Sequence, residues 1–108
     1  NAKLKSAESQ LKDTQLMLQA ELNSTLVQLN AMNNSMSLLV KKIKLNDANV
    51  KTAKSQLNTG QSTLEVLIKA EISSFNSNNK YLMMQAEQHA LLLKIVTLSG
   101  ALGRNLNF

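Results

Sequence analysis

Few side chains in this sequence are of the types that carry out acid–base or metal chemistry. The one histidine, His89, could act as a general base or bind a metal ion. A metal site needs several converging ligands, and the acids Glu71 and Glu87 lie too far along a helix to form a cluster with His89. We therefore expect no metal site, and we expect His89 to be a packing residue on an inward-facing helical stripe.

Motifs typical of enzymes are also missing from the sequence. The chain contains no cysteine, which excludes a thiolate nucleophile, a cysteine metal site and a disulfide. It has no glycine-rich phosphate loop, no nucleophile elbow and no pair of carboxylates at catalytic spacing. Its five methionines could suggest a path for a soft metal, but methionine is far commoner as helical core. The sequence predicts a protein that is not an enzyme and has no cofactor.

The chain has a net charge of +5, and the excess is concentrated in one stretch that contains a single acid, Asp47. The basic residues of this stretch are Lys41, Lys42, Lys44, Lys51 and Lys54. Such a helix could attract nucleic acid, anionic lipid or an acidic partner. Because the excess is almost all lysine and no aromatic side chain interleaves it for base stacking, we favour a solvated helix face. A nucleic-acid-binding module is the least favoured alternative, and a steep salt dependence of DNA or RNA binding would support it.

No uninterrupted apolar stretch approaches the roughly 20 residues that a membrane helix needs. The longest approach, residues 90–98, is too short and contains Lys94 and Thr97. The N-terminal residues carry no signal-peptide core and enter helical periodicity at once. We interpret the chain as a fragment of a larger protein, which would meet a membrane only through parts absent from this chain.

Gly60 stands alone between two long stretches of helix-forming residues. The sequence contains three glycines and no proline, and the other two glycines, Gly100 and Gly103, lie near the far end. Glycine tolerates positive φ and ends helices, and the short polar residues on both sides of Gly60 suit a turn and a helix N-cap. The sequence therefore predicts a long helix over residues 1–58, a hairpin tip at 59–63, a returning helix over 64–103 and a C-terminal tail at 104–108.

The first predicted helix carries two stripes of apolar and small residues. The main stripe advances by steps of three and four residues that alternate except for one extra four from Leu18 to Leu22, so it has the period of a coiled coil interrupted by one eleven-residue unit. Its members are Leu4, Ala7, Leu11, Thr14, Leu18, Leu22, Thr25, Leu29, Met32, Met36, Leu39, Ile43, Asn46, Val50, Ala53 and Leu57. A weaker stripe consists of Met17, Ala20, Val27, Ala31, Leu38, Leu45 and Ala48.

The second predicted helix also has two stripes. One consists of Leu64, Ile68, Ile72, Phe75, Asn79, Leu82, Ala86, His89, Leu93 and Val96. The other consists of Leu67, Ala70, Ser74, Ser77, Tyr81, Met84, Gln88, Leu91, Ile95, Leu98 and Leu102. An ordinary two-stranded coiled coil needs one seam per helix, so two stripes indicate that each helix touches two neighbours, as in a bundle or a closed ring. The sequence predicts an all-α fold, a long antiparallel coiled-coil hairpin that depends on neighbouring helices.

Several short motifs, taken in order, resemble the TolC-type outer-membrane efflux and secretion channels. The family has an aromatic-x-x-Gly tip, then Leu-Asp/Glu-Val-Leu-x-Ala, and a long helix that closes in Ala-Leu-Gly. The corresponding segments here are Leu57-Asn58-Thr59-Gly60, Leu64-Glu65-Val66-Leu67-Ile68-Lys69-Ala70 and Gly100-Ala101-Leu102-Gly103. Residues 2–11 resemble the stretch where the family's chain leaves its last barrel strand, so the resemblance covers nearly the whole chain.

The resemblance implies that this hairpin belongs to a TolC-like α-barrel of twelve helices, built by a trimer in the periplasm of a Gram-negative bacterium. The tip would face the inner membrane and meet a periplasmic adaptor (membrane fusion) protein, and through it an inner-membrane pump. The residues carried over for adaptor contact are Thr59, Gly60, Gln61, Ser62 and Thr63, and Glu65 matches the carboxylate that lines or latches the aperture in related channels.

The sequence departs from the family at the tip. Leu57 replaces the usual aromatic residue, and no arginine lies nearby, so an arginine–aspartate latch cannot form. Lys69 follows Glu65 by four residues, an orientation that favours an exposed pair worth a few tenths of a kcal/mol. Two alternatives stay open: an adaptor-protein hairpin, whose tip usually carries an arginine, and a structural coiled-coil spacer, which needs only one seam per helix.

Overall fold

The computed structural model describes residues 2–106, and within that range the chain is helical on both sides of one short connection. Helix α1 covers Ala2–Asn58 and helix α2 covers Leu64–Leu106. The predicted all-α class with two long helices is confirmed. Of the predicted C-terminal tail, residues 104–106 belong to α2, and residues 107–108 lie outside the described residues.

The connection between the helices is built around Gly60. Its φ of 76° is in the left-handed region, which confirms the positive φ expected from the sequence. The amide of Gly60 donates to the carbonyl of Leu57 at 3.1 Å, and the amide of Gln61 donates to the carbonyl of Gln56 at 2.8 Å. This pair of hydrogen bonds defines a Schellman motif, which satisfies carbonyl groups that the end of α1 would otherwise leave unpaired.

Helix α2 begins immediately after Thr63, which acts as its N-cap. The carbonyl of Thr63 accepts a hydrogen bond from the amide of Leu67 at 3.3 Å, and its Oγ1 accepts one from the amide of Val66 at 3.4 Å. A side-chain oxygen at this position satisfies one of the free amides of the first turn. The chain is therefore reversed by residues whose types favour both the end of one helix and the start of the next.

The chain divides into two compact units, and the first consists of Met32–Glu87. In this unit α1 and α2 pack antiparallel through one stripe of each helix, which we call the inner stripes. The buried or half-buried members from α1 are Met32, Met36, Leu39, Ile43, Asn46, Val50, Ala53 and Leu57, and those from α2 are Leu67, Ala70, Ser74, Ser77, Tyr81 and Met84. The coiled-coil hairpin predicted from the periodicity is present here.

The second unit contains the described residues outside 32–87, and within it one stripe of each helix is likewise buried or half-buried. Its buried or half-buried stripe members are Leu18, Leu22, Thr25, Leu29, Gln88, Leu91, Ile95, Leu98 and Leu102. Thr25 is the most deeply buried, with 1% of its surface exposed, and its Oγ1 donates to the carbonyl of Glu21 at 2.8 Å. Residues 2–14 are exposed, so the first four members of the predicted stripe do not form part of a buried seam.

The second stripe of each helix is exposed in both units. We call these the outer stripes: Met17, Ala20, Val27, Ala31, Leu38, Leu45 and Ala48 in α1, and Leu64, Ile68, Ile72, Phe75, Asn79, Leu82, Ala86, His89, Leu93 and Val96 in α2. The expectation that His89 packs on an inward-facing stripe is therefore wrong, because its stripe lies away from the seam. Each helix of this chain buries one of its two stripes.

Candidate interaction surfaces

The five tip residues form a small polar surface at the turn. Ser62 is half-buried, and Thr59, Gly60, Gln61 and Thr63 are exposed. The Thr59 Oγ1 donates to the carbonyls of Ser55 and Gln56, each at 3.2 Å, which attaches that side chain to the last turn of α1. The turn thus presents backbone and short polar groups in a fixed conformation.

Glu65 lies in the first turn of α2 and forms an ion pair on the surface. Its Oε1 is 3.2 Å from the Nζ of Lys69, and the two side chains are 77% and 74% exposed. At this exposure the pair stabilises the helix by only a few tenths of a kcal/mol. The carboxylate is accessible, and a first-turn position is also favoured by the helix dipole.

The outer stripes expose large apolar side chains on both helices. In the unit Met32–Glu87 the exposed fractions reach 66% for Leu38 and 61% for Leu45 on α1, and 64% for Phe75 and 61% for Leu82 on α2. Outer-stripe residues are offset by one or two positions from inner-stripe residues of the same helix, that is by about 100° or about 160° around its axis, so they lie away from the seam. Exposed apolar side chains aligned along a helix mark sites of protein association.

A network of polar side chains crosses the inner seam of the same unit. The Asn46 amide nitrogen Nδ2 donates to the Ser77 Oγ at 3.0 Å and to the Ser73 carbonyl at 3.3 Å. The Ser77 Oγ donates to the Ser74 carbonyl at 3.0 Å, and the Ser74 Oγ donates to an oxygen of Asp47 at 2.7 Å. Asn46 is 9% exposed and Ser77 is 5% exposed, so this network replaces apolar packing at the centre of the seam.

A groove of about 260 Å³ lies beside this network. Its walls are formed by Leu39, Lys42, Asn46, Ser73, Asn76, Ser77 and Lys80. The lining includes two lysines and no acid, so the groove is positively charged.

The sequence places Asn46, Ser74 and Ser77 on the stripes but does not show that these residues are joined by hydrogen bonds. The sequence signal that could have predicted this network is that polar residues interrupt both inner stripes at a similar distance from Gly60.

Within residues 2–106 the structure contains no group of three or more acidic or histidine side chains that could hold a metal ion. His89, the candidate considered first, is exposed on the outer stripe of α2. None of the helical segments described is both long and apolar enough to cross a bilayer. The features that remain as candidate sites are the tip, the outer stripes and the polar network.

Comparison with protein-family models, with curated proteins and with solved structures gives no match to this chain.

Proposed function

We propose that this chain is the periplasmic helical portion of an outer-membrane channel of the TolC type, used for efflux or type I secretion. The observation that carries the proposal is that each helix buries one stripe in the hairpin and exposes a second apolar stripe on a different side. A helix in a closed ring has one neighbour on each side and needs these two surfaces. A coiled-coil spacer would leave the second stripe without a purpose.

The neighbours in such a ring are helices of the same assembly. We propose a trimeric parent protein in which the outer stripe of α1 packs on one adjoining helix and the outer stripe of α2 packs on another. The outer stripe of α1 contains three alanines and a few large residues, a composition that allows close approach of a second helix. In this proposal the hairpin supplies wall to a conduit and performs no covalent chemistry, so substrate passes through it passively.

The tip is the proposed docking point for a periplasmic adaptor protein. Thr59, Gln61 and Thr63 are exposed, and the Schellman motif fixes the backbone between them, so little conformational entropy is lost when a partner binds. Docking would move the tip ends of the helices outward and open the entrance to a substrate delivered by an inner-membrane pump. Glu65, one turn from the tip, is the proposed aperture residue.

Site-specific cross-linking in cells that express the full-length parent protein tests this proposal. The chain has no cysteine, so a thiol introduced at Gln61→Cys reports only contacts of the tip. We expect a short reagent that is thiol-reactive at one end and photoreactive at the other to link this variant to a periplasmic protein that is anchored in the inner membrane and has a helical hairpin of its own. Mass spectrometry of the cross-linked product identifies the protein.

The matched control is Asn30→Cys, an equally exposed position on α1 in the other unit. This variant should give no adaptor cross-link, because the proposed docking point is confined to the tip. Recovery of the Gln61→Cys variant without any adaptor product contradicts the docking proposal. Recovery of the parent protein in the cytoplasmic fraction contradicts the channel proposal itself.

A further inference from the structure

Within the unit Met32–Glu87, helix α2 buries the less apolar of its two stripes. The inner stripe there includes Ala70, Ser74 and Ser77, whereas the outer stripe includes large aliphatic and aromatic side chains. The outer members Ile68, Ile72, Phe75 and Leu82 are between 46% and 64% exposed. Because burial of apolar surface favours folding, hydrophobicity alone would turn the outer stripe of α2 toward α1. Another interaction must select the buried face.

The polar network supplies that interaction. The buried amide of Asn46 on α1 donates to two acceptors on the inner face of α2, Ser77 Oγ and the Ser73 carbonyl. If α2 were rotated to present Ile72 and Phe75, the same amide would lose both acceptors and face an outer stripe whose one polar member in this unit is Asn79. Leaving a buried donor unsatisfied is strongly unfavourable, so Asn46 penalises the rotated packing.

A second cross-helix contact acts in the same direction. The Ser74 Oγ donates to Oδ1 of Asp47 at 2.7 Å, one residue along from Asn46. The rotated packing would remove the hydroxyl from this carboxylate and offer an apolar side chain instead. The two adjacent residues of α1 therefore recognise two serines that lie three residues apart on one face of α2.

We propose that the pairs Asn46–Ser77 and Asp47–Ser74 determine which face of α2 packs on α1, and so keep the more apolar stripe of α2 exposed. A single buried asparagine is known to specify the register and partner of coiled coils at some cost in stability. Here the specified property is the rotation of one helix about its own axis. This inference rests on the hydrogen bonds and the burial pattern, and it stands or falls separately from the channel proposal.

Disulfide formation between pairs of introduced cysteines tests the proposal. Ala53 is a buried seam position of α1, Ala70 is a seam position of α2, and Ile72 is 53% exposed on the outer stripe of α2. In the parent sequence the pair Ala53→Cys with Ala70→Cys should oxidise faster than Ala53→Cys with Ile72→Cys by about tenfold or more, the ratio expected from losing two cross-helix hydrogen bonds. In the Asn46→Leu background we expect this ratio to fall toward one.

Asn49→Leu is the matched control, because it makes the same change at an exposed position of α1 three residues away. This control should keep the parental ratio. Helical circular dichroism should show that Asn46→Leu stays folded, since Ser77 still donates to the Ser74 carbonyl and no buried hydroxyl is left unpaired. An unchanged ratio in a folded Asn46→Leu variant overturns the proposal and assigns face selection to the close packing of the small residues.

A second variant covers the case in which Asn46→Leu does not fold. Ser77→Ala removes the acceptor and keeps Asn46 with its contact to the Ser73 carbonyl at 3.3 Å. We expect this variant to lower the ratio of the two oxidation rates by about threefold or more, consistent with the loss of one hydrogen bond. A parental ratio in Ser77→Ala would also overturn the proposal.

Discussion

Single residues set the reversal of this chain and the pairing of its helices, and Gly60 is the clearest case. Its backbone lies in the left-handed region, and a Cβ added to it would meet no atom within 4 Å. The requirement for glycine is therefore a backbone requirement and not a packing one. Because an added Cβ meets no atom, the conformational free energy of the turn can be measured without a steric contribution.

We predict that Gly60→Ala destabilises the chain by about 1–2 kcal/mol, the cost of holding an L-residue in the left-handed conformation. Urea unfolding followed by circular dichroism at constant protein concentration measures the change. Gly100→Ala is the control, because Gly100 lies inside α2 and an added Cβ also meets nothing within 4 Å. That control should stabilise the chain by about 0.5–1 kcal/mol, so the two substitutions should have opposite signs. Equal effects at the two glycines would contradict the role of the turn.

The exposed pair Glu65–Lys69 leads to a prediction about function and stability together. Glu65→Gln should change the free energy of unfolding by less than about 0.5 kcal/mol, because both side chains are mostly solvated. In a conducting parent protein the same substitution should change single-channel conductance or cation preference if Glu65 lines the aperture. Lys69→Gln serves as the control for loss of the ion pair. A large loss of stability would contradict the assignment of Glu65–Lys69 as a solvated surface pair. Unchanged conductance and cation preference would contradict the placement of Glu65 at the aperture.

At the scale of the helix, neighbouring leucines have opposite environments. Leu39 is 7% exposed on the inner stripe of α1, and Leu38 is 66% exposed on the outer stripe. We expect Leu39→Ala to cost about 2 kcal/mol or more in unfolding free energy, since it removes buried methyl groups and leaves a cavity. Leu38→Ala should stay within about 0.5 kcal/mol of the parent chain. Denaturant titration of both variants checks the prediction, and similar losses for the two would contradict the stripe assignment.

The sequence predicts most of this helical architecture and misses one important choice. The three-and-four spacing locates the stripes, and Gly60 with the polar residues around it locates the turn, because both signals are local along the chain. The choice of which stripe of α2 faces α1 is not local. Hydrophobicity ranks Ile72 and Phe75 above Ser74 and Ser77, and the opposite packing is observed because Asn46 and Asp47 on the other helix bond to the serines. His89 shares the outer stripe with Phe75 and is exposed, contrary to the expectation that it faces inward.

At the scale of the whole molecule, the exposed outer stripes govern how copies of the chain behave in solution. We expect the purified chain to associate as its concentration rises, since the outer stripes present apolar surface to a second helix. Sedimentation equilibrium should show a mass above the 11.9 kDa of one chain at high concentration. The double substitution Ile72→Gln with Phe75→Gln should shift the mass back toward one chain.

The same substitutions should leave the hairpin itself unaffected. Both side chains are more than half exposed, so the melting temperature at low concentration should stay close to that of the parent chain. Asn79→Gln, on the outer stripe, is the control for this pair of substitutions. Ser73→Gln is unsuitable as a control, because Ser73 lines the groove. A parent chain that remains a single chain at all concentrations would argue against the outer stripes as association surfaces.

The short turn at Gly60 also has a consequence for how quickly the chain folds. Contacts between the two helices join residues that are close in sequence near the turn, and the separation grows with distance from it. Asp47 and Ser74 are 27 residues apart, and Asn46 and Ser77 are 31 apart. Because loop closure costs little more for each added pair once the first has formed, pairing should start beside Gly60 and propagate outward. A change at the turn should therefore slow folding, whereas a change far from it should mainly speed unfolding.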